Sequence, residues 1–350
     1  MDWLAARALA WYDAHGRAGL PWQTDRTPYR VWVSEIMLQQ TQVTTVIPYF
    51  ERFMVRFPNV QTLARAELDE VLHHWTGLGY YARGRNLHAA AKHIADELDG
   101  ELPRSLEALT ALPGIGRSTA GAILASGFGM RAPILDGNAR RVLARFHAEP
   151  ADTTGSVEAL WAFADAHTPT ERVADYTQAI MDLGATLCVR SRPLCTGCPL
   201  AERCAALTAH DVTSYPAPRR RRDMPVKQAR MFVITDPDGR RLLERRPPTG
   251  LWGGLWNPPE RDRGYPLDAL LGELGAPPDC VADVSELAPF RHTFTHFHLD
   301  IAPLAANVTR TLASVNDGER FRWYRADDER RIGLSAAAVR LLGPATEELA

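Results

Sequence analysis

Lysine is nearly absent from this sequence. Only Lys92 and Lys227 are lysines among its 40 Lys and Arg residues, so almost every positive charge is a guanidinium. A guanidinium keeps its proton in proteins and does not act as a nucleophilic amine. Chemistry that needs a lysine amine, such as attack on a carbonyl carbon, is therefore restricted to these positions.

Long apolar runs and a strong net charge are absent as well. The N-terminal stretch that ends at Trp22 alternates apolar and charged residues at helical spacing, without a long apolar core or a small-residue cleavage site. We therefore expect neither export nor a membrane span. The net charge of -2 and the pI of about 6.6 exclude a globally basic surface, so any nucleic-acid binding must come from a local patch.

Cysteine is scarce but clustered. Four of the five cysteines lie close together at Cys188, Cys195, Cys198 and Cys204. A chain in a reducing compartment uses such clusters for metal binding or redox chemistry more often than for disulfides. The C-x6-C-x2-C-x5-C spacing suits either a structural zinc ion or an iron-sulfur cluster, and the residues alone leave both open. The isolated Cys280 is expected to be a small buried apolar residue.

The pattern along the chain predicts two domains. Residues 1–215 have the periodicity of consecutive amphipathic helices, for example at Leu63–His74 and Leu87–Leu98. Residues 216–228 combine prolines with an arginine run and are predicted to be a linker. Residues 229–350 contain short alternating or β-branched runs around an Asp-Gly turn, which indicates a smaller α+β domain.

A glycine-rich turn separates two helical runs within Leu112–Ile123. Pro113, Gly114 and Gly116 fit a tight hairpin between helices. Glycine lets the backbone approach another group closely, and the free amides at the start of the next helix can bind a phosphate oxygen. The alternative is an ordinary glycine turn between packed helices.

Two acidic residues lie in apolar surroundings. Glu35 is set between Val33 and Ile36, and a carboxyl group desolvated in this way has a raised pKa and can act as a general acid. Asp136 follows Leu135 and precedes a helical run, which is the position of a helix N-cap. A structural role is the simpler interpretation of each residue alone. A catalytic interpretation requires both carboxyl groups in one site.

Five segments together resemble one protein family. "SEIMLQQTQV", "GLGYYARGRNLH", "LPGIGRSTAGAI", "ILDGNARRVL" and the cysteine run have the order and spacing found in the MutY-type adenine glycosylases. These enzymes are a branch of the helix-hairpin-helix DNA glycosylases, whose fold resembles that of endonuclease III. The resemblance covers nearly the whole chain. It implies a base-excision repair enzyme that flips out and hydrolytically removes adenine mispaired with 8-oxoguanine or guanine, leaving an abasic site.

The resemblance also implies a fold, a cofactor and partners. The fold is multidomain, with an all-α helix-hairpin-helix glycosylase domain and iron-sulfur module followed by an α+β Nudix-like domain that recognises 8-oxoguanine. A 4Fe-4S cluster is implied rather than zinc. The partner is double-stranded DNA with A:8-oxoguanine or A:G mispairs, bound by a monomer in the bacterial cytoplasm that joins the nucleoid on DNA. The sequence establishes no contact with a sliding clamp or another repair protein.

The family's functional residues match positions of this chain. By resemblance Glu35 is the general acid at adenine N7, and Asp136 stabilises the oxocarbenium-like sugar or forms a covalent intermediate. Gln40 and Tyr80 are the wedge beside the damaged guanine. The other implied sites are the adenine pocket (Trp22, Ser118, Asn138, Gln178), further DNA contacts (Gly114, Gly116, Arg190, Arg192), 8-oxoguanine recognition (Phe294, Thr295, His296) and the cluster ligands (Cys188, Cys195, Cys198, Cys204).

Two departures from related patterns bear on the activity. Ser118 stands where lyase-type relatives carry a nucleophilic lysine, so we expect a monofunctional glycosylase. Thr295 replaces the serine of the family's Phe-Ser-His loop and keeps the hydroxyl group. The segment "RRPPTGLWGGLWNPPE" resembles a Nudix domain, but without an acidic magnesium-binding helix we expect a reader rather than a nucleotide hydrolase. The alternatives are a catalytically silent DNA-binding module, opposed by Glu35 and Asp136, and a bifunctional glycosylase-lyase, opposed by Ser118.

Overall fold

The chain forms two compact units. The computed structural model describes residues 1–217, 223–312, 315, 320–325, 327 and 331–343. Met1–Arg65 and Asn86–Arg221 make up the N-terminal unit, and Ala66–Arg85 and Arg222–Ala350 make up the C-terminal unit. The arginine run Arg219–Arg222 of the predicted linker lies outside the described residues. No described helix is both long and apolar enough to cross a membrane.

The first 217 residues are helical, as their apolar periodicity predicts. Short turns of wider, π-type hydrogen bonding follow two of the helices, at Ile123–Gly127 and Leu183–Leu187. The helices are α1 (Trp3–His15), α2 (Pro21–Thr24), α3 (Pro28–Leu38), α4 (Val43–Arg56), α5 (Val60–Arg65), α6 (Leu68–His74), α7 (Ala82–Glu97), α8 (Leu106–Thr110), α9 (Arg117–Ala122), α10 (Gly137–Phe146), α11 (Thr154–His167), α12 (Val173–Asp182) and α13 (Ala205–Thr208).

One apolar core joins helices from both ends of the N-terminal unit. Leu9 of α1, Leu143 of α10, Leu160 of α11 and Ile180 of α12 are all fully or almost fully buried in it. Burying each such side chain contributes about 1.5–3 kcal/mol relative to leaving it exposed. The first helix is thereby packed against helices that follow it by more than a hundred residues, so α10 and its N-terminus have a fixed position.

One predicted helical run is divided in the structure, and one segment of the predicted first domain lies in the second compact unit. The run Leu63–His74 is two helices, because the backbone at Glu67 is extended and caps the start of α6. The segment Ala66–Arg85, predicted within the first domain, clusters instead with the C-terminal unit. The other example, Leu87–Leu98, lies in α7 apart from its last residue.

The C-terminal unit is built on a mixed sheet with the path β3-β2-β1-β7-β5. The long strands β1 and β7 are parallel neighbours, whereas the other pairs are antiparallel. The strands are β1 (Val226–Thr235), β2 (Arg241–Arg245), β3 (Trp256–Asn257), β4 (Glu260–Asp262), β5 (Val281–Glu286), β6 (Phe290–Thr293), β7 (His298–Val308) and β8 (Phe321–Tyr324), and the helices are α14 (Leu267–Glu273) and α15 (Ala336–Leu342).

The sheet begins inside the predicted linker. Val226 already pairs with His298, because β1 and β7 run side by side over their whole common length. The Asp-Gly turn joins β1 to β2 as an antiparallel hairpin, as the sequence predicts. Cys280 is 1% exposed in the apolar core that packs on Phe232 and Leu271, which confirms its prediction as a small buried residue.

Candidate active site and DNA-contacting surfaces

Glu35 is placed by α3 among buried apolar side chains. The helix starts sharply because the Thr27 side chain accepts a hydrogen bond from the Arg30 amide, with proline in the first turn. Trp32 and Ile36 on the same helix are buried, whereas Glu35 is only partly exposed. Burial, assisted by the negative charge of Asp136, raises the pKa of Glu35 to about 8. The structure therefore brings the two candidate catalytic carboxyl groups within electrostatic range.

Asp136 is the N-cap of α10, as its sequence position predicts. One carboxylate oxygen accepts a hydrogen bond from the Ala139 amide at 2.8 Å. The other accepts one from the Asn138 side-chain nitrogen at 3.1 Å. Arg141 in turn donates to the Asn138 side-chain oxygen at 2.8 Å, which leaves the Asn138 NH2 group facing Asp136. The aspartate is thus held at a helix N-terminus in one orientation.

Two glycines allow close contact between neighbouring helical segments and the backbone on either side of Asp136. A Cβ atom on Gly121 of α9 would lie 2.2 Å from the carbonyl oxygen of Pro133. A Cβ atom on Gly184 would lie 2.6 Å from the Cβ of Asn138. Neither approach is possible with a larger residue unless the backbone moves. The segment that carries Asp136 is therefore clamped on two sides.

Ser118 also contacts this segment. Its hydroxyl accepts a hydrogen bond from the Leu135 amide at 3.0 Å, directly before Asp136 in the chain. The structure thus gives Ser118 a positioning role that sequence reasoning did not identify. In the described part of the chain the only lysines are Lys92 and Lys227, neither of which lies in the Asp136 segment.

Two other predicted pocket residues have structural partners. The Trp22 ring, 6% exposed, packs edge-on against Phe50 at 5.4 Å between centroids. The Gln178 side-chain nitrogen donates to buried Asp182 at 2.7 Å, and Asp182 is also paired with Arg17 at 2.6 Å. Their proposed contacts with adenine stay predictions.

The glycine hairpin precedes α9. Gly114 has the left-handed φ of +78°, which glycine adopts without strain. Gly116 is the N-cap of α9, and no protein atom lies within 4 Å of where its Cβ would be. The phosphate contact of the α9 amides stays a prediction.

The four clustered cysteines line one cavity in the N-terminal unit. Cys188, Cys195, Cys198 and Cys204 all border it, together with mostly apolar side chains. All four are free thiols, and burial raises the pKa of Cys198 to about 11. No three His, Cys, Asp or Glu side chains of the described residues are arranged to hold a metal ion. The donor set and the shared cavity fit a multi-centre cluster with four thiolate ligands.

Buried Arg145 organises the start of the cysteine loop and was missed by sequence reasoning. It donates to the Cys188 sulfur at 3.2 Å and to the carbonyl oxygens of Val189 at 2.8 Å, Arg190 at 3.0 Å and Tyr215 at 2.9 Å. Arg141, one turn earlier on α10, donates to the Cys188 carbonyl oxygen at 2.6 Å. The arginines that follow Asp136 are visible in the sequence. The sequence does not show that their side chains point towards the cysteine loop.

Replacing Arg145 is expected to destabilise the N-terminal unit. Arg145 is 2% exposed, and Arg145→Leu would leave several partly buried carbonyl groups without their donor. We expect a loss in the free energy of unfolding of about 1–3 kcal/mol for each carbonyl group that stays unpaired, measured by denaturant titration. Arg192→Leu, at an exposed arginine of the same loop, is the matched control. Equal stability of the two variants would contradict this role.

The remaining predicted DNA contacts are exposed. Arg190 and Arg192 are on the surface of the cysteine loop, and exposed Gln40 has a left-handed φ of +58° just after α3. In the C-terminal unit, Tyr80 is 45% exposed and also left-handed, with φ +49°. Gln40 and Tyr80 therefore belong to different units.

The predicted 8-oxoguanine-recognition residues form a hairpin tip. Phe294, Thr295 and His296 lie between β6 and β7, and the Phe294 amide donates to the Phe297 carbonyl oxygen at 2.9 Å. Thr295 and His296 are exposed, and the Phe294 ring stacks on Phe297 at 4.6 Å. The Trp252 ring also contacts Phe294, with 5.5 Å between the ring centroids. The exposed end of the tip is therefore supported by packed aromatic side chains.

Comparisons with known proteins agree with this architecture. The family model of the HhH-GPD superfamily base excision DNA repair protein matches residues 33–162, and that of the NUDIX domain matches residues 230–343. Adenine DNA glycosylase of Buchnera aphidicola subsp. Baizongia pistaciae (strain Bp) is 35% identical over 334 residues, covering 95% of this chain and 94% of that protein. The Homo sapiens adenine DNA glycosylase is 35% identical over 392 residues, covering 94% of this chain and 71% of that protein.

Solved structures support the helical fold. A thermostable thymine-DNA glycosylase superposes with a TM-score of 0.55 at 24% identity, over 59% of this chain and 95% of that one. An endonuclease III in a non-covalent DNA complex superposes with a TM-score of 0.52 at 21% identity, over 59% and 95%. The predicted fold class is confirmed.

The two family models define the class of this protein as a helix-hairpin-helix base-excision DNA glycosylase with a Nudix-like second domain. Its relatives narrow this class to one substrate base. The chain belongs to the adenine DNA glycosylase family, and it removes adenine from DNA in base excision repair.

Proposed function

We propose that this enzyme excises adenine opposite 8-oxoguanine or guanine and leaves an abasic site without cutting the strand. The observation that carries the chemistry is the raised pKa of Glu35, about 8, beside the ionisable Asp136. A carboxyl group that keeps its proton at neutral pH can act as a general acid, and a second carboxyl group beside it can stabilise positive charge. The proposal that 8-oxoguanine is recognised opposite the adenine rests on the hairpin tip and on the family resemblance.

Excision requires adenine to leave the stack, which costs roughly a few kcal/mol. Glu35 then protonates adenine N7, because a neutral leaving group departs more readily than an anion. Asp136 stabilises the positive charge that develops on the sugar, and water completes the hydrolysis. The contacts of Asp136 with the Ala139 amide and Asn138 keep its carboxylate oriented through this step.

The DNA contacts are assigned from the exposed residues. The amides behind Gly116 bind one phosphate, and Arg190 and Arg192 bind others. Gln40 and Tyr80 fill the space that the flipped base leaves. Because phosphate contacts release counterions, loss of either arginine is proposed to weaken binding at every DNA sequence alike.

The cysteine cavity is proposed to hold a 4Fe-4S cluster. Cys188, Cys195, Cys198 and Cys204 are its ligands, and Arg145 faces the Cys188 sulfur with a positive charge. The cluster supplies a structural cross-link between the loop and the helices around it. The four cysteines and Arg145 thereby keep Arg190 and Arg192 on the protein surface, where they can bind phosphates of the DNA backbone.

The C-terminal unit is proposed to read 8-oxoguanine with Phe294, Thr295 and His296. Two carboxylates of this unit are paired with an arginine, which opposes a role for them in nucleotide hydrolysis. Arg261 holds Glu273 at 2.6 Å and lowers its pKa to about 2, and it also binds Glu244 at 2.7 Å. These carboxylates are therefore engaged by a guanidinium instead of facing a magnesium site.

Single-turnover kinetics test the proposed function. Duplexes carry adenine opposite 8-oxoguanine, guanine or thymine, and products are resolved with and without alkali to cleave abasic sites. We expect alkali-dependent product that forms fastest opposite 8-oxoguanine and slowest opposite thymine. Borohydride is expected to trap no covalent enzyme–DNA product, because trapping needs a Schiff base.

Each other outcome has a defined meaning. Alkali-independent product together with borohydride trapping would favour a bifunctional glycosylase-lyase. Binding without product would favour a catalytically silent module. Equal rates opposite 8-oxoguanine and thymine would remove the proposed reading of the damaged base while leaving adenine excision in place.

A further inference from the structure

The loop that carries Tyr80 is part of the C-terminal unit. Ala66–Arg85 clusters with Arg222–Ala350, and the same unit carries the hairpin tip Phe294–His296. The exposed tyrosine and the exposed tip therefore belong to one compact body. This raises the question of how the Tyr80 loop is fixed to the sheet of that unit.

Tyr80 is exposed, and its ring contacts the buried Arg83 side chain. Its left-handed backbone conformation costs of order 1–3 kcal/mol and persists only where the surroundings enforce it. The Arg83 guanidinium lies 5.3 Å from the Tyr80 ring centroid and 5.6 Å from that of Trp75. Arg83 also donates to the Gly79 carbonyl oxygen at 3.1 Å. These contacts present the Tyr80 ring to solvent in a defined direction.

Two side chains of this loop bind the backbone of Leu334. The Tyr81 hydroxyl donates to the Leu334 carbonyl oxygen at 3.1 Å and accepts from the Gly77 amide at 3.3 Å. The Leu334 amide donates to the Thr76 hydroxyl at 3.4 Å. Tyr81 is only 7% exposed. Its hydroxyl therefore connects the backbone of the Tyr80 loop directly to the C-terminal segment.

Leu334 is itself fixed to the sheet. The Trp256 amide of β3 donates to the Gly333 carbonyl oxygen at 2.9 Å, and the Ser335 amide donates back to Trp256 at 3.4 Å. A Cβ atom on Gly333 would lie 2.5 Å from the Leu72 Cβ, so this segment and α6 are in close contact. A continuous set of contacts thus runs from β3 through Leu334 and Tyr81 to Tyr80.

We propose that Tyr81 is a positioning residue that sets the Tyr80 wedge relative to the sheet carrying the 8-oxoguanine-reading tip. The inference rests on the proposed function, in which Tyr80 enters the duplex and the tip contacts the damaged guanine. Tyr81 is buried and is not itself proposed to contact the DNA or the adenine. Tyr81 acts through Tyr80, and the role depends on the hydrogen bonds of its hydroxyl group.

A double-mutant cycle tests this role. Tyr81→Phe removes one hydroxyl, and we expect affinity for an A:8-oxoguanine duplex and the single-turnover excision rate to fall about fivefold, as for one lost hydrogen bond. In a Tyr80→Ala background the same change should alter neither value, because the residue it positions is gone. Tyr29→Phe removes an equally buried hydroxyl, bonded to Phe57 at 2.8 Å in the N-terminal unit, and is the control for stability.

The outcomes separate this inference from the proposed function. Equal losses from Tyr81→Phe with and without Tyr80 would overturn the positioning role, and so would an unchanged single variant. A fall in thermal midpoint that matches Tyr29→Phe, without coupling to Tyr80, would mean a structural role alone. If the parent enzyme excises adenine without preferring 8-oxoguanine, the proposed reading fails, while the affinity cycle still decides the role of Tyr81.

Discussion

Glu35→Gln is expected to reduce adenine excision by about 10³–10⁴-fold while leaving mispair affinity nearly unchanged. Glutamine has the size and shape of the protonated glutamate but carries no proton that it can transfer, and general acid catalysis contributes factors of about 10²–10⁴. Single-turnover excision and equilibrium DNA binding measure the two effects separately. Glu51→Gln, at an exposed carboxyl of α4, is the control. Substantial excision by the Glu35 variant would refute the acid assignment.

The same residue predicts a pH dependence. The acid form of Glu35 is the active one, and burial beside Asp136 raises its pKa to about 8. The excision rate should therefore stay level up to about pH 8 and fall roughly tenfold per unit above it. A rate that falls with the ordinary pKa of a glutamate, near pH 4.5, would contradict this environment.

Glu35 should also lower stability as the pH rises. The folded state keeps its proton to about pH 8, whereas the unfolded chain loses it near 4.5, so the folded state binds more protons between these values. Stability contributed by the protonated group is complete below pH 4.5 and lost progressively up to about pH 8. Glu35→Gln should therefore unfold at a higher temperature than the parent at pH 8, and with little difference at pH 4.

Asp136→Asn is expected to reduce excision by about 10²–10³-fold, because it removes the charge that stabilises the developing sugar cation. Asparagine is as good an N-cap as aspartate, so the start of α10 should be preserved. The variant also removes negative charge near Glu35, so its residual activity should fall at a lower pH than in the parent.

A matched variant separates charge from orientation at this position. Asn138→Ala removes the 3.1 Å hydrogen bond that the Asn138 side chain donates to Asp136, but keeps the carboxylate. We expect a loss of only about tenfold in rate, as for one hydrogen bond to a charged group. Equal losses in Asn138→Ala and Asp136→Asn would mean that the contact, and not the charge, is what catalysis needs. Asp136→Ala should additionally lose about 1 kcal/mol of stability with its cap.

Local sequence signals predicted the helices that carry the site residues. They did not predict features that depend on the folded backbone. The apolar setting of Glu35 and the N-cap position of Asp136 are properties of a few neighbouring residues, so both could be read directly. The break at Glu67 could not, because the apolar periodicity continues across it and only the backbone shows two helices. The turn at Phe294 was implied by the family resemblance and not by the alternating aromatics around it.

The sequence by itself determined the helical first part, the strand-rich second part, the clustered thiols and the two candidate carboxyl groups. These follow from periodicity, residue chemistry and spacing, which act over a few residues. Only the tertiary structure decided that Asp136 lies near Glu35, that Arg145 directs its donors at the cysteine loop, and that Tyr80 belongs to the C-terminal unit. Each of these depends on packing between segments far apart in the chain, where close approach is permitted by residues such as Gly121, Gly184 and Gly333.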